Sequence, residues 1–350
     1  MKAAVFYGPG DIRIEDKPKP DIGDNDILIK IEACAICGTD LRIFRSGHRG
    51  VKPPQIIGHE NAGIVFEMGK NVKNFKVGDR VTIDPIVSCG YCYYCWKGLT
   101  NLCSTFKETA EAFGYYYPGG FAEYMAIPAK VIKRGNIIPI PESMSFEEAA
   151  LAEPMGCALN GELLAQVGAG DTVLIVGAGP VGVMHANLAK ILGAAKIIIS
   201  ELADNRLKVA KEMEAADYYI NPAREDLRKF LSDITNGVGP NVIMIAAPSR
   251  KAQEEAVELA ANRAHICFFG GLPKGDNIAK IDSNLVHYKE IFIHGSSGAT
   301  TEHIKMCIDF MSGKRINGEK FISKIIGLED ISSMIQEVAE GKHMRVIVKP

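Results

Sequence analysis

The chain has 350 residues, 47% of them hydrophobic and 23% charged. That is more than one hydrophobic core usually organises, and it excludes a disordered chain, so two domains of roughly 100 to 200 residues are expected. Lys and Arg number 40 against 42 Asp and Glu, a formal net charge of -2. Such a balance offers no field to gather nucleic acid or an anionic membrane, so neither is an expected partner. The amino terminus breaks into Gly, Pro and charged residues too early for a signal peptide. No apolar run approaches the roughly 18 to 20 residues that cross a bilayer, and the expectation is a soluble, cytoplasmic protein. Nine cysteines in a reducing compartment point to metal binding where they cluster, and six lie between Cys34 and Cys103.

From the start to about residue 140, short Val/Ile runs such as 27–31 and 80–83 alternate with Gly, Pro, Asp and Asn, the pattern of a β-rich domain with long loops. After Pro141 a helical stretch over 145–166 leads into alternating apolar strands and amphipathic helices. Strands are predicted over 172–176, 196–200, 217–220, 241–246, 265–269 and 291–294, with helices over 181–192, 203–214, 226–235 and 252–262. This alternation predicts an α/β fold with a doubly wound parallel sheet of the Rossmann type. A helix over 301–311, a loop, a helix near 331–340 and a strand over 345–348 close the chain. The predicted domains are 1–150 with 296–350, and 151–295.

Gly177-Ala178-Gly179-Pro180-Val181-Gly182 follows an apolar strand and opens a helix, the context that a dinucleotide fingerprint needs. Gly177 is expected to make the tight turn, Gly179 to let backbone approach a pyrophosphate, and Gly182 to let helix pack on strand. The helix amino terminus, beginning at Pro180 and Val181, then faces the anion. Glu201, 19 residues beyond Gly182, ends the next strand, where a carboxylate accepts hydrogen bonds from ribose hydroxyls and repels a 2′-phosphate. NAD is therefore favoured over NADP, with Arg206 the residue that would contact a phosphate instead. An ordinary strand-to-helix turn is the competing reading of the glycines.

Cys89, Cys92, Cys95 and Cys103 supply four thiolates in one short loop, the set that tetrahedral zinc holds best, and a site with no open position is structural. Redox cysteines, an iron–sulfur cluster and a nucleic-acid-binding zinc ribbon share such spacing, although Lys97 and Lys107 are the loop's only basic residues. A second group is dispersed: Cys37 in Cys37-Gly38-Thr39-Asp40, His59 and Glu60 after Gly58, and Glu153 before Pro154. Taken singly, each reads as a buried thiol, a satisfied imidazole or a helix-start carboxylate.

At these residues the chain resembles the zinc-containing medium-chain alcohol dehydrogenases, and within them the sorbitol (polyol) and threonine dehydrogenase branch. Gly58-His59-Glu60-Asn61-Ala62-Gly63 with Gly69 and Val72 is similar to the family's zinc signature. Val77-Gly78-Asp79-Arg80-Val81 and Gly119-Gly120-Phe121-Ala122-Glu123-Tyr124 resemble two further landmarks, and the likeness spans the whole chain. The resemblance implies a GroES-like catalytic domain interrupted by the coenzyme domain, with a catalytic zinc in the cleft between them. It also implies that Cys37, His59 and Glu153 are zinc ligands, with Glu60 binding directly or exchanging with substrate and water, and that Thr39 starts a proton relay. A homo-oligomer, dimer or tetramer, is implied as well. Zinc with an open position lowers the pKa of a bound hydroxyl by several units.

One departure stands out. Arg42 occupies the place of a relay histidine, and it stays protonated, so it cannot act as a base. Arg42, Arg45, His48 and Arg49 form a basic stretch in the expected loop after Cys37; a solvated loop and a phosphate-bearing substrate are its two readings. The leading expectation is a zinc-dependent, NAD-linked oxidoreductase acting on a secondary alcohol, a polyol such as sorbitol. L-threonine 3-dehydrogenase and a polyol-phosphate dehydrogenase are its alternatives within the same chemistry. From another class, a zinc-free quinone reductase relative or a non-catalytic nucleotide-binding protein would share the fold.

Overall fold

In the computed structural model, which describes residues 1–350, the chain forms two compact units, Met1–Gly156 with Ala299–Pro350, and Cys157–Gly298. Residues 151–156, expected in the coenzyme domain, fall in the first unit, and residues 296–298, expected in the first, fall in the second.

The first unit is built on a seven-stranded sheet. Its order is Ile322–Ile326, Arg345–Val348, Ile27–Ala35, Glu60–Met68, Arg80–Ile83 and Ile137–Pro139, with Tyr124–Ile127 also pairing to Ile27–Ala35. A smaller sheet joins Asp11–Asp16, Lys2–Gly8 and Gln55–Ile56. Ile27, Ile29 and Ile31 share one core with Phe6, Val65, Phe113 and Phe121, and Leu28 on the strand's other face is buried as well, leaving Lys30 its one exposed residue. The carboxy-terminal strand returns to this unit, with Ile347 opposite Ala35 and Val348 opposite Cys34.

Three local expectations are corrected. Residues after Cys37 form a helix, Gly38–Ser46, where a loop was expected; its first turn carries Asp40, and Ile43 and Phe44 are buried. The expected loop after residue 311 contains the strand Ile322–Ile326, whose middle residues are exposed, so no alternation announces it. The single helix expected over 145–166 is two, Phe146–Ala150 and Ala152–Leu164. Pro154 explains the break, because it has no N–H to donate back to Ala150.

The second unit has six parallel strands in the order Tyr218–Ile220, Lys196–Ser200, Thr172–Val176, Val242–Ile245, His265–Phe268 and Phe292–Gly295. Leu174, Ile198, Ile243 and Ile266 on one face, and Ile175, Ile199, Met244 and Cys267 on the other, are wholly buried, as in a sheet covered on both faces. The order reverses between Thr172–Val176 and Val242–Ile245, the switch point at which doubly wound sheets bind ligands. The helices Pro180–Leu192, Asp204–Glu212, Leu227–Thr235 and Arg250–Leu259 start and end within three residues of their expected limits.

Candidate active site

Strand register assembles the dispersed group. Ala35 lies opposite Glu60, so Cys37, just past one strand's end, meets His59, just before the other's start. The donor atoms of Cys37, His59 and Glu60 lie within 4.8 Å of one another. Glu153 is not part of this cluster; it is half-buried, and its charge is sensed by Arg345 and Tyr115. Thr39 is half-buried in the first turn of Gly38–Ser46.

The surroundings hold the donors in place. Asp40 is fully buried; its Oδ2 accepts the Cys37 N–H at 2.9 Å, and its Oδ1 stands 3.5 Å from His59 Nδ1. Arg345, opening the carboxy-terminal strand, donates to Glu60 Oε1 at 2.9 Å and to the Ile36 carbonyl at 3.3 Å. Glu60 Oε2 and His59 Nδ1 are buried without a hydrogen-bond partner. Burial pushes the Cys37 thiol up, and the charge of Glu60 adds to this. Burial likewise raises Glu60 against the pull of Arg345. Two buried acids beside an imidazole, with orphaned acceptor atoms, fit a cation of zinc's preference for S, N and O donors.

Sequence reasoning missed Arg345 and Tyr115. A lone charge at the head of a strand whose four residues are all buried was the signal for Arg345. The Tyr115 ring lies 5.5 Å from that of His59 and 4.9 Å from that of His48, centroid to centroid. Burial pushes its phenol up to about 12. Arg42, Arg45 and Arg49 are exposed, and Arg49 donates to the Lys107 carbonyl.

The four cysteines of the other group also converge, their sulfurs all within 4.8 Å. Cys92 and Cys95 sulfurs are 3.6 Å apart, and Cys89 and Cys95 sulfurs 3.9 Å. A disulfide needs about 2.05 Å, whereas a tetrahedron with Zn–S of about 2.3 Å separates its sulfurs by about 3.8 Å. Backbone N–H groups of Cys95 and Ser104 lower the Cys92 thiol to about 6. Apolar burial does not hold this lobe, since Tyr91, Tyr93 and Trp96 are 68%, 66% and 77% exposed. A structural metal held by the four cysteines would supply the missing restraint.

In the second unit the fingerprint glycines have the expected geometry. Gly177 has φ +113°, a Cβ on Gly179 would meet only open space, and one on Gly182 would fall 1.9 Å from the Gly177 carbonyl oxygen. Gly179 caps Pro180–Leu192, with Pro180 in its first turn, so the helix amino terminus is free for an anion. Glu201 accepts the N–H of Ala178 and of Ala203, each at 2.9 Å. A cavity of about 170 Å³ is lined by Gly177, Glu201, Leu202, Pro222 and Ala247 among others. Gly179, Pro180, Val181, Gly182 and Arg206 do not line it. No helix of the chain is long and apolar enough to cross a membrane.

Comparison with known proteins agrees with this geometry. Residues 23–142 match the alcohol dehydrogenase GroES-like domain, and residues 180–313 match the zinc-binding dehydrogenase family. An L-threonine 3-dehydrogenase of Thermococcus kodakarensis is 35% identical, over 100% of this chain and 97% of its own length. A sorbitol dehydrogenase of Bacillus subtilis is 32% identical over 100% of this chain and 97% of its own. Among solved structures, a zinc-binding dehydrogenase from Sinorhizobium meliloti 1021 bound to NADP superimposes with a TM-score of 0.91. It is 30% identical and is covered over 99% of its length, against 100% of this chain.

Proposed function

The chain belongs to the zinc-containing medium-chain alcohol dehydrogenase family, whose members are zinc-dependent, NAD(P)-linked oxidoreductases, and we propose that its reaction is the NAD-linked oxidation of a secondary alcohol in a polyol. The observation that carries this reading is the convergence of Cys37, His59 and Glu60 on one point, with Glu60 Oε2 buried and unpartnered. These three residues would hold the catalytic zinc, Glu153 would act beside them, and Cys89, Cys92, Cys95 and Cys103 would hold the structural one. Bound there, zinc supplies a Lewis acid that lowers the pKa of a hydroxyl by several units.

The chain's own residues do the rest. Asp40 holds the Cys37 backbone and stands beside the His59 imidazole, so both donors are oriented before substrate arrives. Thr39 takes up the proton released from the substrate hydroxyl. Arg42 is exposed and its guanidinium offers no acceptor, so it cannot continue the relay and the proton passes on to solvent. Bound by the second unit, NAD would supply the hydride acceptor for this oxidation.

Two features support a neutral polyol over threonine or a phosphate ester. Arg345, the guanidinium beside the donor set, is already engaged by Glu60 and the Ile36 carbonyl, and Arg42, Arg45 and Arg49 face solvent. NAD is supported by Glu201, whose carboxylate lines the cavity of the second unit and would repel a 2′-phosphate. The NADP of the Sinorhizobium meliloti structure makes this a point to test. A homo-oligomer is carried over from the resemblance, and light scattering would measure it.

The test is reduction of NAD and of NADP by zinc-loaded protein with sorbitol, sorbitol 6-phosphate, L-threonine and 2-butanol, with zinc counted per chain. The expected result is two zinc ions and the highest kcat/KM with sorbitol and NAD. A preference for threonine or for the phosphate ester would overturn the substrate, a preference for NADP the role of Glu201, and one zinc or none without turnover the enzyme itself.

A further inference from the structure

The loop at Tyr115 is built tightly for a segment that no motif requires. Gln55 Nε2 donates to the Tyr115 and Tyr116 carbonyls at 2.9 and 3.1 Å. The Tyr115 N–H reaches the Ala112 carbonyl at 3.3 Å, and Gly114 N–H donates to Tyr117 O at 2.9 Å. The ring packs edge-on to His48, at an interplanar angle of 69°, and tilted against His59, at 48°. His48 is itself fixed, its Nδ1 accepting the Gly50 N–H at 3.1 Å. Everything that positions this ring is therefore in place without its hydroxyl.

The hydroxyl has no hydrogen-bond partner in the chain, and the charges it senses are those of His59, Cys37, Asp40 and Glu153. A largely buried tyrosine usually finds a partner for its hydroxyl, since ring and polar tip have opposite needs. The ring lies against His59, a member of the donor cluster, at 5.5 Å between centroids, so its phenol shares that cluster's surroundings. A bound molecule with an oxygen close to the reacting one would satisfy it.

We propose that Tyr115 is a specificity residue, its phenol hydrogen-bonding the hydroxyl on the carbon next to the one oxidised, so that the site selects vicinal polyols over simple secondary alcohols. This rests on the reading of Cys37, His59 and Glu60 as the reaction centre. The phenol both donates and accepts, which suits a neutral hydroxyl that does the same. A site built to bond a hydroxyl rejects an analogue lacking it far more strongly than an apolar pocket would.

Tyr115→Phe tests this, since it keeps the ring against both histidines and removes only the oxygen. With NAD, the variant is expected to lose about 10- to 30-fold in kcat/KM on sorbitol and 2,3-butanediol, which is about 1.4 to 2 kcal/mol. It should stay within about two-fold of the parent on 2-butanol and retain its zinc content and unfolding midpoint. Independently of turnover, titration of the NADH-loaded protein with 2,3-butanediol, followed by coenzyme fluorescence, should show affinity falling by a similar factor. Equal losses on diol and monohydric alcohol, or equal diol affinity in both proteins, would overturn the proposal. Should the parent oxidise no diol at all, the reading of the reaction fails, and the fluorescence titration still decides Tyr115.

Discussion

The two metal-ligand groups of the first unit are built in opposite ways. Cys89, Cys92, Cys95 and Cys103 lie in one lobe whose aromatic side chains point outward, so the lobe has no core of its own. Cys37, His59 and Glu60 lie where the ends of two long, buried strands meet, and a third strand adds Arg345 from the far end of the chain. In the first group a metal would organise the chain; in the second the folded chain organises the donors. The first should therefore respond to metal loss with structure, and the second with chemistry.

The largest effect is expected from Cys37→Ser. Activity should fall by about a thousand-fold or more, the order of about 4 kcal/mol in the barrier, while one zinc and the thermal midpoint are kept. Circular dichroism with metal analysis checks this; a collapsed midpoint would erase the contrast between the two groups. Cys92→Ser should do the reverse. It should lose one zinc and open residues 86–112 to proteolysis, with activity lowered about ten-fold by the loosened lobe. Cleavage mapping by mass spectrometry reads the outcome, and an intact, protease-resistant lobe would show that burial holds it after all.

Arg345→Met sharpens the comparison from the core side. It leaves Glu60 buried without its ionic partner, a loss on the order of 3 to 5 kcal/mol in unfolding free energy. Denaturant melts of the metal-depleted protein measure it, and a shift within error would mean that the pair does not organise the site.

The smallest effect concerns Asp84, at the base of the lobe, which is buried and accepts from the Ile86 N–H at 3.0 Å and from the Thr301 hydroxyl at 2.7 Å. Burial raises its carboxyl from 3.8 to about 6, against the pull of both hydrogen bonds. A carboxyl whose folded pKa lies above its unfolded one favours the fold most below the unfolded value. That contribution is lost as pH rises from about 4 to about 6, a change on the order of 3 kcal/mol. Asp84→Asn should flatten stability over that window, and a parallel pH profile in both proteins would exclude this assignment.

The four-cysteine lobe and the Gly177 to Gly182 turn could be read directly from residue order, because each gathers its working groups within one short stretch of chain. There, spacing is geometry: a tight turn, a helix amino terminus and thiolates a few bonds apart leave little for distant contacts to alter. The six parallel strands were legible for a related reason, since a sheet covered on both faces needs continuous apolar runs. Elements whose pattern is mixed were not, as the exposed strand Ile322–Ile326 and the helix Gly38–Ser46 show.

Cys37, His59 and Glu60 were individually ambiguous in the sequence, and only the resemblance joined them to one another. Tertiary structure decided that Ala35 lies opposite Glu60, that Arg345 reaches back to the same point, that Glu153 stands outside the close cluster, and that Tyr115 packs its ring against His48 and His59. The reason is one of range. Strand register between distant segments depends on which faces are buried across the whole sheet, and that information is spread over the chain instead of residing at any one of these residues.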